Sequence, residues 1–110
     1  MNTSLFVEIV STNKCKHVSL SHETILYVDL KAIEHNFYYL KSKLDPTTEI
    51  IAVVKAFAYG HGDITISKKL EELGVDGFWV ADFEEGVNLR KSGITLPIIV
   101  ANTGVKSYAK

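Results

Sequence analysis

With 110 residues, 46% of them hydrophobic and 23% charged, the chain has the composition of one globular domain, or of a piece of a larger one, rather than of a disordered segment. A net charge of −1 offers no basic face for nucleic acid, and no apolar run approaches the roughly 20 residues of a membrane-spanning helix, so neither partner is expected. The single cysteine, Cys15, excludes a disulfide framework, and the opening MNTSLFVEIVSTNK lacks the basic start and long apolar core of a secretion signal, which makes the cytoplasm the expected location.

Residues 1–23 are rich in Ser, Thr, Asn and Lys, broken by the stretch Leu5 to Val10, and read as an extension or linker ahead of residues 24–110. Ile25 to Asp29 (ILYVD) predicts a short strand whose last residue can cap a helix. That helix carries Leu30, Ile33, Phe37, Leu40 and Leu44 at steps of three and four, one apolar stripe, and Asp45-Pro46 stops it. Glu49 to Val54 (EIIAVV) follows as a strand, and its apolar run without alternation predicts burial on both faces. Beyond a glycine-containing loop, Asp63 is placed to cap a second helix with Ile66, Leu70 and Leu73 on one face and Gly74 at its end.

Gly77 to Ala81 (GFWVA) is the next strand, in which Trp79 is expected to pack beneath a helix. Asp82 and Glu85 have capping-box spacing and open a third helix that Gly93 closes. Glu84 and Glu85 in its first turn, and Arg90 and Lys91 in its last, suit the helix dipole. Pro97 to Ala101 (PIIVA) is a final strand. Strands and helices thus alternate throughout, which predicts an α/β fold with mostly parallel strands. A complete eight-stranded barrel needs roughly 250 residues. The expectation is therefore the opening βα units of a TIM (β/α)8 barrel, an incomplete fragment that stops on a strand without a covering helix.

Lys55 lies at the carboxyl end of the second strand, in AVVKAFAYGHG. In barrels and open α/β sheets that edge is where ligands bind. A partly desolvated lysine there can lose its proton and attack a carbonyl to form a Schiff base. Equally, the lysine can mark where the strand meets water, and position alone favours that plainer reading. Gly60 and Gly62 permit sharp bends and close approach of a ligand to the backbone, and the helix start beyond them has free N–H groups that suit phosphate. Asp63 opposes an anion placed beside it. Tyr59 has a hydroxyl for a phosphate, or a ring for packing.

The segment AVVKAFAYGHGD, followed by GVDGFWVADFEEGVNLRKSGITLPIIV and preceded by VDLKAIEHNFYYLKSKL, closely resembles the N-terminal part of the alanine racemase family, over about Thr24 to Val100. Other barrel enzymes that use pyridoxal phosphate, such as amino-acid decarboxylases, share a lysine at this strand end but are not marked by the AYGHG continuation. The resemblance implies that Lys55 forms the Schiff base with pyridoxal 5'-phosphate and serves as one of two catalytic bases, on the D-alanine side. It implies that Tyr59 helps to hold the cofactor phosphate. The implied reaction is the interconversion of L- and D-alanine for peptidoglycan, by a homodimer in which a tyrosine of the partner subunit is the second base.

That second base, the remaining phosphate ligands and the arginine facing the pyridine nitrogen have no counterpart within this sequence, so the isolated chain is expected to be inactive. Phe57 departs from the family, which usually has asparagine at that position. Two other readings stand beside the racemase: a non-catalytic binder of pyridoxal phosphate, and the racemase part of a fusion with a cell-wall ligase. Serine or broad-specificity racemases share the same motifs. No metal is expected, because the spacing of His35, His61 and Asp63 matches no structural zinc pattern. His17 and His22 sit in the polar N-terminal stretch and read as solvated.

Overall fold

The computed structural model describes residues 26–102 and 104. The extension expected over residues 1–23 lies outside them. Leu26 to Asp29 form no strand: their backbone finds no neighbouring ladder, and Leu26 and Tyr27 are exposed. Asp29 nonetheless caps helix α1 (Leu30–Lys41), its Oδ1 accepting from the N–H groups of Lys31 (2.8 Å) and Ala32 (3.3 Å). Leu30, Ile33 and Phe37 of the expected stripe meet the core, whereas Leu40 is exposed and Leu44 lies beyond the helix end. The helix stops ahead of Asp45-Pro46, where Ser42 turns its hydroxyl back onto the Tyr39 carbonyl at 2.7 Å.

Three short strands follow, β1 (Ile51–Val53), β2 (Gly77–Asp82) and β3 (Ile98–Asn102). They form one parallel sheet in the order β1-β2-β3. Parallel neighbours need crossovers, and here these are helical. Between β1 and β2 come a short element, α2 (Lys55–Tyr59), and helix α3 (Asp63–Leu73); between β2 and β3 comes α4 (Phe83–Lys91). The α/β alternation with parallel strands is thus as expected.

Asp82 caps α4 through a true capping box with Glu85. Gly74, with φ 88°, ends α3 in the left-handed conformation that glycine adopts without steric cost. Asp63 is not a cap: Gly62 holds that position, and Asp63 is the first residue of the helix.

Side chains alternate across the pleat, and this decides which residues are covered. Phe78 and Val80 of β2 point toward the helices and are completely buried, as is Leu89 of α4, in a core that also includes Ile66 and Leu73 of α3 and Phe37 of α1. The opposite face carries Ile51, Val53, Trp79 and Ile99, exposed by 39, 46, 40 and 41%. Register places Val53, Trp79 and Ile99 side by side across the three strands. The two-sided burial expected of Glu49 to Val54 is therefore absent among the described residues, where helices cover one face only. Trp79 likewise does not pack beneath a helix, because its parity in the strand puts it on the open face.

The amino-terminal ends of the strands are tied by carboxylates. Asp76 Oδ2 accepts the Ile50 N–H at 2.7 Å. Glu71 Oε1 accepts from Thr95 N–H (2.9 Å), Thr95 Oγ1–H (2.8 Å) and Leu96 N–H (3.1 Å), and these bonds hold its carboxyl below its ordinary pKa of 4.5. Lys69 of α3 pairs with Glu34 of α1 at 2.7 Å.

Candidate functional site

The carboxyl ends of the strands bring the chain after β1, Asp82 of β2 and Asn102 of β3 to one edge of the sheet, with Asp82 and Asn102 in register. Val54 is buried, and its N–H donates to the Trp79 carbonyl at 2.9 Å, which holds the chain to β2 just beyond β1. Lys55 comes next. It is exposed and has no ion pair among the described residues. The chain thus passes directly from buried Val54 to an exposed cation.

The sequence predicts a glycine-containing loop over the residues that follow. They instead wind left-handed: Ala56, Phe57, Ala58 and Tyr59 have φ of 51, 60, 50 and 55°. Each non-glycine residue in this region costs roughly 1–2 kcal/mol, because Cβ crowds the following carbonyl. Four in succession make this the most strained stretch of described backbone. Backbone bonds close the coil, from Ala58 N–H to Val54 O (3.0 Å), Gly60 N–H to Ala56 O (3.0 Å) and Gly62 N–H to Phe57 O (2.9 Å). His61 donates from Nδ1–H to the Ala58 carbonyl at 3.0 Å, which selects that tautomer. Gly60 and Gly62, with φ of 86 and 94°, let the chain leave the coil and enter α3.

Ala58 points into the core, while Phe57 and Tyr59 are 55 and 60% exposed. About one helical turn separates Lys55 from Tyr59, so the coil returns to the same side of the chain between them. The N–H groups of Gly60, His61 and Gly62 are consumed inside the coil, and Asp63 Oδ1 takes the Ile64 N–H at 2.9 Å. The three loop residues ahead of α3 thus offer no free N–H donor. Asp63 is 5% exposed, with Oδ2 accepting from Asn88 Nδ2 at 3.3 Å, so it fastens α3 to α4.

Glu85 reaches the same place from the other junction. Its Oε2 accepts from the N–H groups of Ala81 (2.7 Å) and Asp82 (3.4 Å), and its Oε1 accepts from the Ala56 N–H at 2.7 Å. Capping-box spacing identified the first part of this arrangement. The bond to Ala56 spans 29 positions in sequence and leaves no local signal. His35, His61 and Asp63 do not gather, and no cluster of three metal-ligating side chains occurs among the described residues.

Comparison with known proteins relates the chain to a family. The family model described as alanine racemase, N-terminal domain, matches residues 28–109. The alanine racemase of Citrifermentans bemidjiense is 48% identical over 80 residues, which are 73% of this chain and 21% of that protein. An amino-acid racemase of Enterococcus faecalis is 38% identical over 97 residues, 88% of this chain and 14% of that protein. Among solved structures, the alanine racemase of Bacillus anthracis with bound L-Ala-P superposes with a TM-score of 0.67 at 40% identity, covering 70% of this chain and 20% of that one. The alanine racemase of E. faecalis superposes with a TM-score of 0.68 at 34% identity, over 74% of this chain and 22% of that one. The chain spans about a fifth of the length of the alanine racemases it matches. On this evidence the chain belongs to the alanine racemase family, an isomerase family, and corresponds to part of its N-terminal domain.

Proposed function

We propose that the chain supplies the lysine-bearing portion of a TIM-barrel alanine racemase that depends on pyridoxal 5'-phosphate. The observation that carries this reading is the exposed, unpaired Lys55 at the carboxyl end of β1, followed at once by the strained coil that carries Tyr59. Backbone strain of this kind persists where surrounding structure holds it in place, and it clusters at ligand sites. The bare apolar face of Ile51, Val53, Trp79 and Ile99 supports the barrel, whose interior such inward side chains fill.

The residues present fit the cofactor in part. Lys55 Nζ would hold its aldehyde carbon, and the Tyr59 hydroxyl would donate to its phosphate. The N–H groups of Gly60, His61 and Gly62 are already used within the coil, so the phosphate would need donors other than these. When bound, pyridoxal phosphate supplies an electron sink for the carbanion left at the substrate's α-carbon. Once the substrate amine displaces it from the aldehyde carbon, Lys55 Nζ would be free to remove the α-proton from one enantiomer, or in the reverse direction to deliver a proton to that same face. A base on the opposite face completes the exchange, and by family resemblance it comes from the partner subunit of a cytoplasmic homodimer.

The 110-residue chain alone is accordingly expected to be inactive. The test is to add pyridoxal phosphate to the full-length protein, record the visible band of the bound cofactor, and follow conversion of L-alanine to D-alanine by chiral chromatography. The band and racemisation are both expected, and both are lost in Lys55→Ala. A band without racemisation of alanine, serine or other amino acids would leave a binder rather than an enzyme. Racemisation of another amino acid in preference to alanine would reassign the substrate.

A further inference from the structure

We infer that Glu85 is a positioning residue for Lys55: its carboxylate clamps the peptide that follows the lysine and so sets the direction in which the amine is presented. The inference rests on the reading of Lys55 as the cofactor lysine. The N–H that Glu85 Oε1 accepts, at 2.7 Å, is that of Ala56. It belongs to the same planar peptide group as the Lys55 carbonyl, so fixing the N–H fixes the plane attached directly to the Lys55 α-carbon. This peptide is also the entry to the left-handed coil, whose strain must be opposed at its first bond.

The backbone hydrogen bonds that close the coil run between Val54 and Gly62 and travel with it as a unit. The Glu85 bond instead anchors the coil to the neighbouring β2–α4 junction. The Glu85 carboxylate is itself held fast, because Oε2 accepts from the backbone N–H groups of Ala81 and Asp82, which Asp82→Ala leaves in place. An ionised carboxylate accepts at both oxygens and forms stronger bonds than a neutral group. A glutamine of the same shape cannot do so: its NH2 must face either the Ala56 N–H or the Ala81 and Asp82 N–H groups, donor against donor.

A residue that merely caps α4 makes a different prediction, and Asp82 provides the control. It shares the capping box, accepting the Glu85 N–H, but has no bond to the coil. In the full-length protein, pyridoxal phosphate is titrated by its visible band in wild type, Glu85→Gln and Asp82→Ala. Visible circular dichroism per bound cofactor and thermal midpoints are recorded alongside. Glu85→Gln is expected to weaken the apparent affinity about tenfold, as loss of a charge-assisted hydrogen bond implies, and to lose circular dichroism per bound cofactor. Asp82→Ala is expected to lower the thermal midpoint at least as much, with affinity and dichroism unchanged.

Wild-type affinity and dichroism in Glu85→Gln would overturn the inference, as would equal losses in Asp82→Ala. Should Glu85→Gln not fold, Glu85→Asp, which withdraws the charge by one methylene, carries the same expectation and the same refutation. A wild-type protein without a lysine-dependent band would overturn the underlying reading of Lys55, and the positioning role with it. A band lost in Lys55→Ala but unchanged in Glu85→Gln would defeat the positioning role alone.

Discussion

The two strand-to-helix junctions of this chain solve the same problem in opposite ways. After β2 the chain goes straight into α4, with Asp82 serving at once as last strand residue and helix cap. After β1 it takes the long way, through four left-handed residues and two positive-φ glycines, before α3 begins. The first junction uses relaxed backbone and familiar capping chemistry, as a connection needs when it only has to turn the chain. The second holds several residues where L-amino acids rarely settle, and it is the one that displays Lys55 and Tyr59. Their difference separates the fold from the site, and Glu85 bonds to both.

Breaking the displayed residue has the largest expected effect. Lys55→Ala in the full-length protein should reduce racemisation by about a hundredfold to ten-thousandfold, the range for a removed general base, as measured by initial rates. Its stability should stay within about 0.5 kcal/mol, because Lys55 is exposed and unpaired among the described residues. Breaking the relaxed junction should do the reverse. Asp82→Ala should cost about 1 kcal/mol in urea unfolding through loss of the α4 cap, with the site preserved.

Easing the strained junction sharpens the contrast. Phe57 is exposed at φ 60°, where asparagine is tolerated far better than a bulky ring. Phe57→Asn is therefore expected to stabilise by about 0.5–1 kcal/mol in the same assay, a fraction of the left-handed penalty. A loss of stability would mean that the ring makes contacts worth more than the strain it incurs.

The smallest effect lies at the far end of the sheet. Glu71 has its pKa lowered by its bonds to Thr95 and Leu96, so its contribution is present above its ordinary value of 4.5 and fades as pH falls through the depressed value. Urea midpoints should therefore drop below about pH 4.5 more steeply in wild type than in Glu71→Gln. Equal slopes would remove Glu71 from the acid response.

Much of this was legible in the sequence where the signal is local. Periodicity located α1, and Asp29 capped it; Asp82 and Glu85 announced α4; Gly74 ended α3. What failed was what depends on neighbours or on their absence. Ile25 to Asp29 has strand composition, yet Leu26 to Asp29 have no partner ladder among the described residues. Trp79 reads as core by type, but pleat parity assigns that place to Phe78 and Val80. Asp63 missed the capping position by one residue.

At the site, residue types identified Lys55 and Tyr59 as candidates, and Gly60 and Gly62 marked the bends that lead into α3. The left-handed coil had only a weak signature, because Ala, Phe, Ala and Tyr do not favour it. The asparagine that the family usually carries at position 57 is the residue type that would have hinted at it, and this chain lacks it. The Glu85 bond to Ala56 is a tertiary contact and could not be read from spacing at all.

The most direct test of Lys55 as the cofactor lysine is chemical mapping. The full-length protein is mixed with pyridoxal phosphate, reduced with borohydride, digested and sequenced by mass spectrometry. The expected result is one dominant modified peptide containing AVVKAFAY, with the adduct on Lys55 and none in Lys55→Ala. Modification spread over surface lysines, or a dominant adduct at another lysine, would contradict it.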